Sequence, residues 1–300
     1  MKTIYNTLIL SVLVTLFAAC SHGGNDSGER VLTVSVEPQR ALLQELAGDR
    51  FKVVTLLANG ANPEQFDPSM QTRISAEKSE AYFTTGAMPF ERNLVAALPA
   101  AVRVVDTGKG IVPVYGTHGH HHHDDHADHD DHHGHHHDAG EPDPHIWASV
   151  RNARVMAANM VEALCELDSA NATEYRSRHA ALANRLDSLD RAFTAALATA
   201  PVRAFAVWHP SLSYFARDYG LEQVAVGFEN KEMSPRRLAE VCAEARSHGV
   251  RVLFFQREYD SRQAEALNTQ MGTRLVTVNP LAADWEAELT KIVDNLSTEK

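Results

Sequence analysis

A strand–helix–strand alternation that occurs on both sides of a purely helical stretch constrains this chain more than any other feature. Residues 31–36 (VLTVSV) alternate and are rich in β-branched side chains, as a strand should be. Residues 38–48 carry apolar positions at helical spacing and end on Gly48, a stop signal. Residues 51–57 (FKVVTLL) form a second strand. A strand, a crossover helix and a strand at this spacing make a βαβ unit, which dictates a parallel sheet with a right-handed crossover. A helix over 69–79 and strands over 81–85 and 102–106 extend the same sheet.

The theme returns after residue 200. Residues 203–207 (RAFAV) read as a strand that runs directly into Trp208-His209-Pro210, and the helix over 212–219 stops at Gly220. Strands follow at 223–226, 250–255 and 274–278. Between them lie a helix opened by Ser234 and Pro235, a second over 261–272, and a closing helix from about 284 to 295. The segment joining the two halves is helical from 149 to 167 and again from 170 to 200, where neither Pro nor Gly interrupts the pattern. At 1.5 Å per residue the second stretch spans roughly 45 Å, enough for a stiff spine. The expected fold is two α/β lobes, each a mostly parallel central sheet flanked by helices, joined by one long rigid helix. Its boundaries are an N-terminal lobe over 31–140, a linking segment over 141–200 and a C-terminal lobe over 201–300.

Residues 1–19 read as a secretory signal: Lys2, an apolar run over 8–17, then small residues. Phe17-Ala-Ala-Cys20 resembles the lipobox of bacterial lipoproteins, which implies that Cys20 carries acyl chains and holds the protein at a membrane. The polar residues 20–30 would be a flexible tether. Net charge is −11 with scattered Lys and Arg, so no basic face for nucleic acid is indicated. Cys165 and Cys242 both fall in helical patterns; a periplasmic disulfide and two separate small apolar side chains remain equally open.

Residues 118–137 read HGHHHHDDHADHDDHHGHHH. His118, His120, His121, His122, His123, His126, His129, His132, His133, His135, His136 and His137 make up twelve of the seventeen histidines. A stretch this polar cannot bury apolar surface, so it is expected to be a loop. A purification tag would sit at a terminus, and a purely solvating acidic loop has no use for imidazole. Collection of borderline divalent metals is the function that needs both residue types. A selective site, however, needs ligands fixed by rigid elements. Three strand-end or loop positions beside prolines offer them: Glu64 in Gly60-Ala-Asn-Pro-Glu64, His145 in Pro142-Asp-Pro-His145, and His209 before Pro210. Two imidazoles and a carboxylate, with a fourth position open, suit a divalent transition ion.

Taken together, residues 60–68 (GANPEQFDP), 143–147 (DPHIW), 208–220 (WHPSLSYFARDYG), Ser234-Pro235 and Asn279-Pro-Leu281 resemble the zinc/manganese (cluster A-I) solute-binding proteins of bacterial ABC importers. They stand in that family's order and cover nearly all of the mature chain. An acidic histidine-rich loop before the DPHIW segment is similar to that of the periplasmic zinc-binding members. The resemblance implies a metal cleft between the lobes, His145 and His209 as ligands, an ABC permease as partner, and a monomeric carrier that is not an enzyme. Two departures stand out. Glu64 occupies the place of a usual histidine and leans the preference from Zn2+ toward Mn2+ or Fe2+. Asn279 replaces a usual aspartate and offers only a weak fourth ligand. A metal buffer or chaperone working through the histidine-rich loop is the alternative. A zinc hydrolase lacks support, because neither an HExxH nor a Gly-x-Ser-x-Gly motif is present.

Overall fold

In the computed structural model, residues 29–57, 61–115, 142–227, 234–257, 259 and 261–298 are described. The expected signal and Cys20, and the histidine-rich stretch 118–137, lie outside these residues. The first sheet is built from β1 (Val31–Val34), α1 (Glu37–Ala47), β2 (Lys52–Thr55), α2 (Met70–Glu77), β3 (Ala81–Thr84), α3 (Pro89–Ala97) and β4 (Arg103–Asp106). Two helices follow, α4 (Val150–Leu167) and α5 (Ala172–Ala198). The second sheet comprises β5 (Ala204–Val207), α6 (Ser213–Tyr219), β6 (Glu222–Ala225), α7 (Pro235–Ser247), β7 (Val252–Gln256), α8 (Ser261–Met271) and β8 (Arg274–Val278), and α9 (Trp285–Ser297) closes the chain.

Both sheets are wholly parallel and share one topology, β2-β1-β3-β4 and β6-β5-β7-β8. In each, the first strand lies inside and the second outside, so the winding direction reverses beside β1 and beside β5. Loops leaving the carboxyl ends of strands at such a reversal are where open α/β sheets take ligands. Inner strands are mostly apolar and buried, as parallel strands covered on both faces must be: β3 and β7 are buried at every position.

Alternation along the strands assigns side chains to the two faces of the second sheet. Phe205, Val207 and Phe254 face one core, and Ala206, Trp208, Leu253 and Phe255 face another. The first of these cores does not stop at the lobe. It continues through Met156 and Met160 of α4 and Leu182 and Leu186 of α5 to Leu32, Val34 and Phe83 of the first sheet. Helix α5 runs for 27 residues, about 40 Å, and buries Tyr175, Leu182, Leu186, Phe193 and Leu197, one stripe at alternating seven- and four-residue intervals. On its outer side Arg185 binds Glu45 of α1 at 2.7 and 2.8 Å and Glu286 of α9 at 3.0 Å, which holds its guanidinium above the usual pKa.

The spine is shorter than its uninterrupted pattern suggests. A 3-10 turn over Ser169–Asn171 separates α5 from α4, and the last turn ends at Thr199. Helix α3 was not foreseen from the sequence. It is nine residues long, opens on Pro89 and buries Phe90, Glu91 and Leu94. Cys165 in α4 and Cys242 in α7 are separate free thiols; the latter is buried in the outer core of the second lobe. Among the described residues no helix is long and apolar enough to cross a membrane.

Candidate metal centre

His209 stands two residues beyond β5, at the reversal point of the second sheet. Gln256, the last residue of β7, grips this loop with both ends of its amide: Oε1 accepts from His209 N at 3.0 Å, and Nε2 donates to His209 O and to Ser211 Oγ, the latter at 2.8 Å. The side chain thus continues the ladder by which β5 and β7 pair. Gly227 packs under the preceding Trp208, where an added Cβ would lie 2.4 Å from Trp208 O, so no larger residue fits.

His145 lies in the segment that enters α4. Asp143 Oδ1 accepts from His145 N at 2.8 Å and pairs with His145 Nδ1 at 2.7 Å. A carboxylate acceptor at Nδ1 favours the tautomer with its proton there, the form whose Nε2 can ligate a cation. The segment is sewn to the C-terminal lobe. Tyr214 of α6 donates to Asp143 O at 2.9 Å, Trp147 Nε1 donates to Pro280 O at 3.1 Å, and Ser149, the α4 N-cap, donates to Asp218. His145 is 3% exposed and His209 8%, and their rings stand edge to face at 5.2 Å.

Glu64 approaches from the other lobe, on the loop between β2 and α2. Asn62 Oδ1 accepts from Glu64 N at 2.9 Å, an Asx turn that sets the backbone. Two residues on, Phe66 packs edge-on against Phe90 of α3 at 5.0 Å. The unforeseen helix is therefore the support of the ligand loop. Its own footing is Glu91, a buried carboxylate that accepts from Thr85 N at 2.7 Å, Thr85 Oγ1 at 2.8 Å, Met88 N at 3.2 Å and Ser35 Oγ.

Glu64, His145 and His209 converge: one ligand atom from each lies within 4.8 Å of the others. Glu64 Oε1 is 3.3 Å from His209 Nε2 and 4.0 Å from His145 Nε2. Donors arranged tetrahedrally at about 2.0–2.1 Å from a zinc ion stand about 3.3 Å apart, so one pair already has that spacing. His209 Nε2 is buried without a hydrogen-bond partner among the described residues, a deficit that a cation removes. Burial alone would raise the Glu64 carboxyl, but the contact with His209 and the positive fields of His209 and His145 outweigh it and hold it below the usual range. Asp143 is likewise pushed up by burial and, on balance, pulled down by His145.

Asn279 follows β8 next to the Trp147 contact. Its Oδ1 accepts from Leu281 N at 3.2 Å and its own N–H donates to Glu288 at 2.9 Å. Sequence reading missed Gln256, Asp143, Asn62 and Tyr259. Only the polar residue closing the run VLFFQ signalled that a strand end had work beyond packing.

Two parallel-sheet lobes on a helical spine, with two imidazoles and a carboxylate meeting at the strand ends, give the architecture of a two-lobed binding protein whose cleft carries three residues able to hold a cation. A family model described as zinc-uptake complex component A, periplasmic (ZnuA), matches residues 32–298, and the chain belongs to that family of ABC-transporter solute-binding proteins. The zinc-binding lipoprotein AdcA of Streptococcus pneumoniae (strain ATCC BAA-255 / R6) is 27% identical over 302 residues, 96% of this chain; the chain spans 57% of that relative's length. A Treponema pallidum (strain Nichols) protein is 28% identical over 260 residues, covering 85% of this chain and 80% of its own. Among solved structures, a zinc-bound 138–173 deletion mutant of ZnuA superposes with a TM-score of 0.76 at 28% identity, over 90% of this chain and 97% of that one.

Proposed function

We propose that the mature chain is a lipid-anchored periplasmic carrier that takes one divalent transition cation between its lobes and hands it to an ABC importer permease. Zn2+ is the first candidate and Mn2+ or Fe2+ follow. The observation that carries this reading is the meeting of Glu64, His145 and His209, from three distant parts of the chain, around an imidazole nitrogen that has no hydrogen-bond partner among the described residues. Family membership and the zinc-binding relatives support the choice of metal.

Glu64 Oε1 and the two imidazole Nε2 atoms supply three donors, and water fills the fourth place. Asn279 is at best a weak fourth donor, because its oxygen already serves Leu281 N. No covalent chemistry is involved. The protein works as a monomer tethered through Cys20, and residues 118–137 raise the local cation concentration through many weak sites. Titration calorimetry and metal analysis on mature protein lacking residues 118–137 test the reading. One tight site for Zn2+, weakened by Glu64→Ala, His145→Ala and His209→Ala, is the expected result. Loss of all tight binding on deletion would leave a buffer that works through the histidines of 118–137 alone.

A further inference from the structure

Tyr259 follows β7 by three residues, and its N–H donates to Gln256 O at 3.3 Å, so it rides on the strand end that grips His209. Its ring stacks on the His209 imidazole, centroids 5.5 Å apart and planes 27° from parallel. Its hydroxyl oxygen accepts from Asn62 Nδ2 at 3.3 Å, across the cleft and 197 residues away in the chain. The other end of the same amide holds Glu64 N. A side chain must donate and accept at once to do this, which an amide can and a carboxylate or ammonium cannot.

We infer that Asn62 and Tyr259 are positioning residues, a strap that keeps Glu64 in register with His209 and sets how long the cation stays. The inference rests on the metal site proposed above. Without the strap, Glu64 and His209 would be held together by their own contact and the cation alone, and departure of the loop would open the site. With it, the two ligands are tied through Glu64 N, Asn62, Tyr259 and Gln256 before the cation arrives. Release then requires the Asn62–Tyr259 bond to break as Glu64 swings away. Holding ligands in their bound arrangement lowers the ordering cost of binding, and among related sites such gains show mainly in the off-rate.

The full chain, loaded with one equivalent of Zn2+, is mixed with excess fluorescent chelator and the release followed by stopped flow. The variants are Tyr259→Phe, Asn62→Ala, the pair together, and His209→Ala as reference. Tyr259→Phe keeps the stacked ring and removes one hydrogen bond, so release should quicken about three- to tenfold. Asn62→Ala should do at least as much, and the double variant no more than Asn62→Ala alone, because both cut one strap. With one equivalent of Co2+, Tyr259→Phe should keep the wild-type absorption bands, since no ligand is lost. Unchanged release in Tyr259→Phe, effects that multiply in the double variant, or shifted cobalt bands would each overturn the inference. Failure of the site itself looks different: the wild type would then release Zn2+ no more slowly than His209→Ala.

Discussion

The two sides of the proposed cation site are built to different standards. The imidazole side is fastened by hydrogen bonds from strand end and loop. His209 is clamped through its backbone by Gln256, His145 through ring and backbone by Asp143, and both are more than nine-tenths buried. The carboxylate side is a loop whose Glu64 side chain is 19% exposed; its supports among the described residues include an Asx turn, an aromatic contact, a hydrogen bond across the cleft and the contacts of Arg73 with Pro68 O and Asp67. If the proposed function holds, a firmly held wall facing a more exposed arm would suit a carrier, with affinity set mainly by the wall and exchange by the arm.

That contrast can be broken most severely from the wall. His145→Ala or His209→Ala should weaken tight Zn2+ binding by about a hundredfold or more in calorimetry, because loss of a ligand exceeds the 10–100-fold typical of its hydrogen-bonded support. Asp143→Ala, which removes that support while leaving the ligands, should fall within about 10–100-fold. On the arm, Glu64→His should preserve the site and raise the Zn2+-over-Mn2+ preference about tenfold in competition titrations, since imidazole is the softer donor. Phe66→Ala should have the smallest effect. Losing the Phe90 contact should cost about 1 kcal/mol of loop order, read as a few-fold faster release with the wall intact.

Acid sharpens the comparison further. The Glu64 carboxyl is held below its usual value, so it stays ionised until the pH has fallen below the ordinary carboxylate range. Ligating imidazoles must be neutral, and free imidazole titrates near about 6.5. Between roughly pH 6.5 and 4.5 the cation should therefore be lost from the histidine side, with affinity falling as pH falls. In Glu64→Gln, Zn2+ titrations across that window should show lower affinity throughout while the loss of binding with falling pH persists.

Much of this was written locally in the chain. Val- and Phe-rich runs marked the inner strands, Gly220 and Ser149 marked helix ends, and prolines beside Glu64, His145 and His209 flagged loops with fixed backbones. The supports were not. Gln256, Tyr259 and Asn62 are ordinary residues whose roles arise from pairing across 47 and 197 positions, and no window of sequence contains both partners. Helix α3 escaped because nine residues give too few turns for periodicity to show, although Pro89 and Glu91 carry a start signal. Asn279 was visible only through the family resemblance, and its hydrogen bond to Leu281 could be seen only in three dimensions.

The unbroken apolar interior from Leu32 through Met156 and Leu182 to Phe254 and Leu289 has a thermal consequence. Among the described residues this core runs without a break from one sheet to the other, so heat should dissolve both in a single endotherm. A cation held between the two lobes, as proposed, would then defend all of it, and amide protons in β3, far in sequence from His209, should exchange more slowly once Zn2+ is bound.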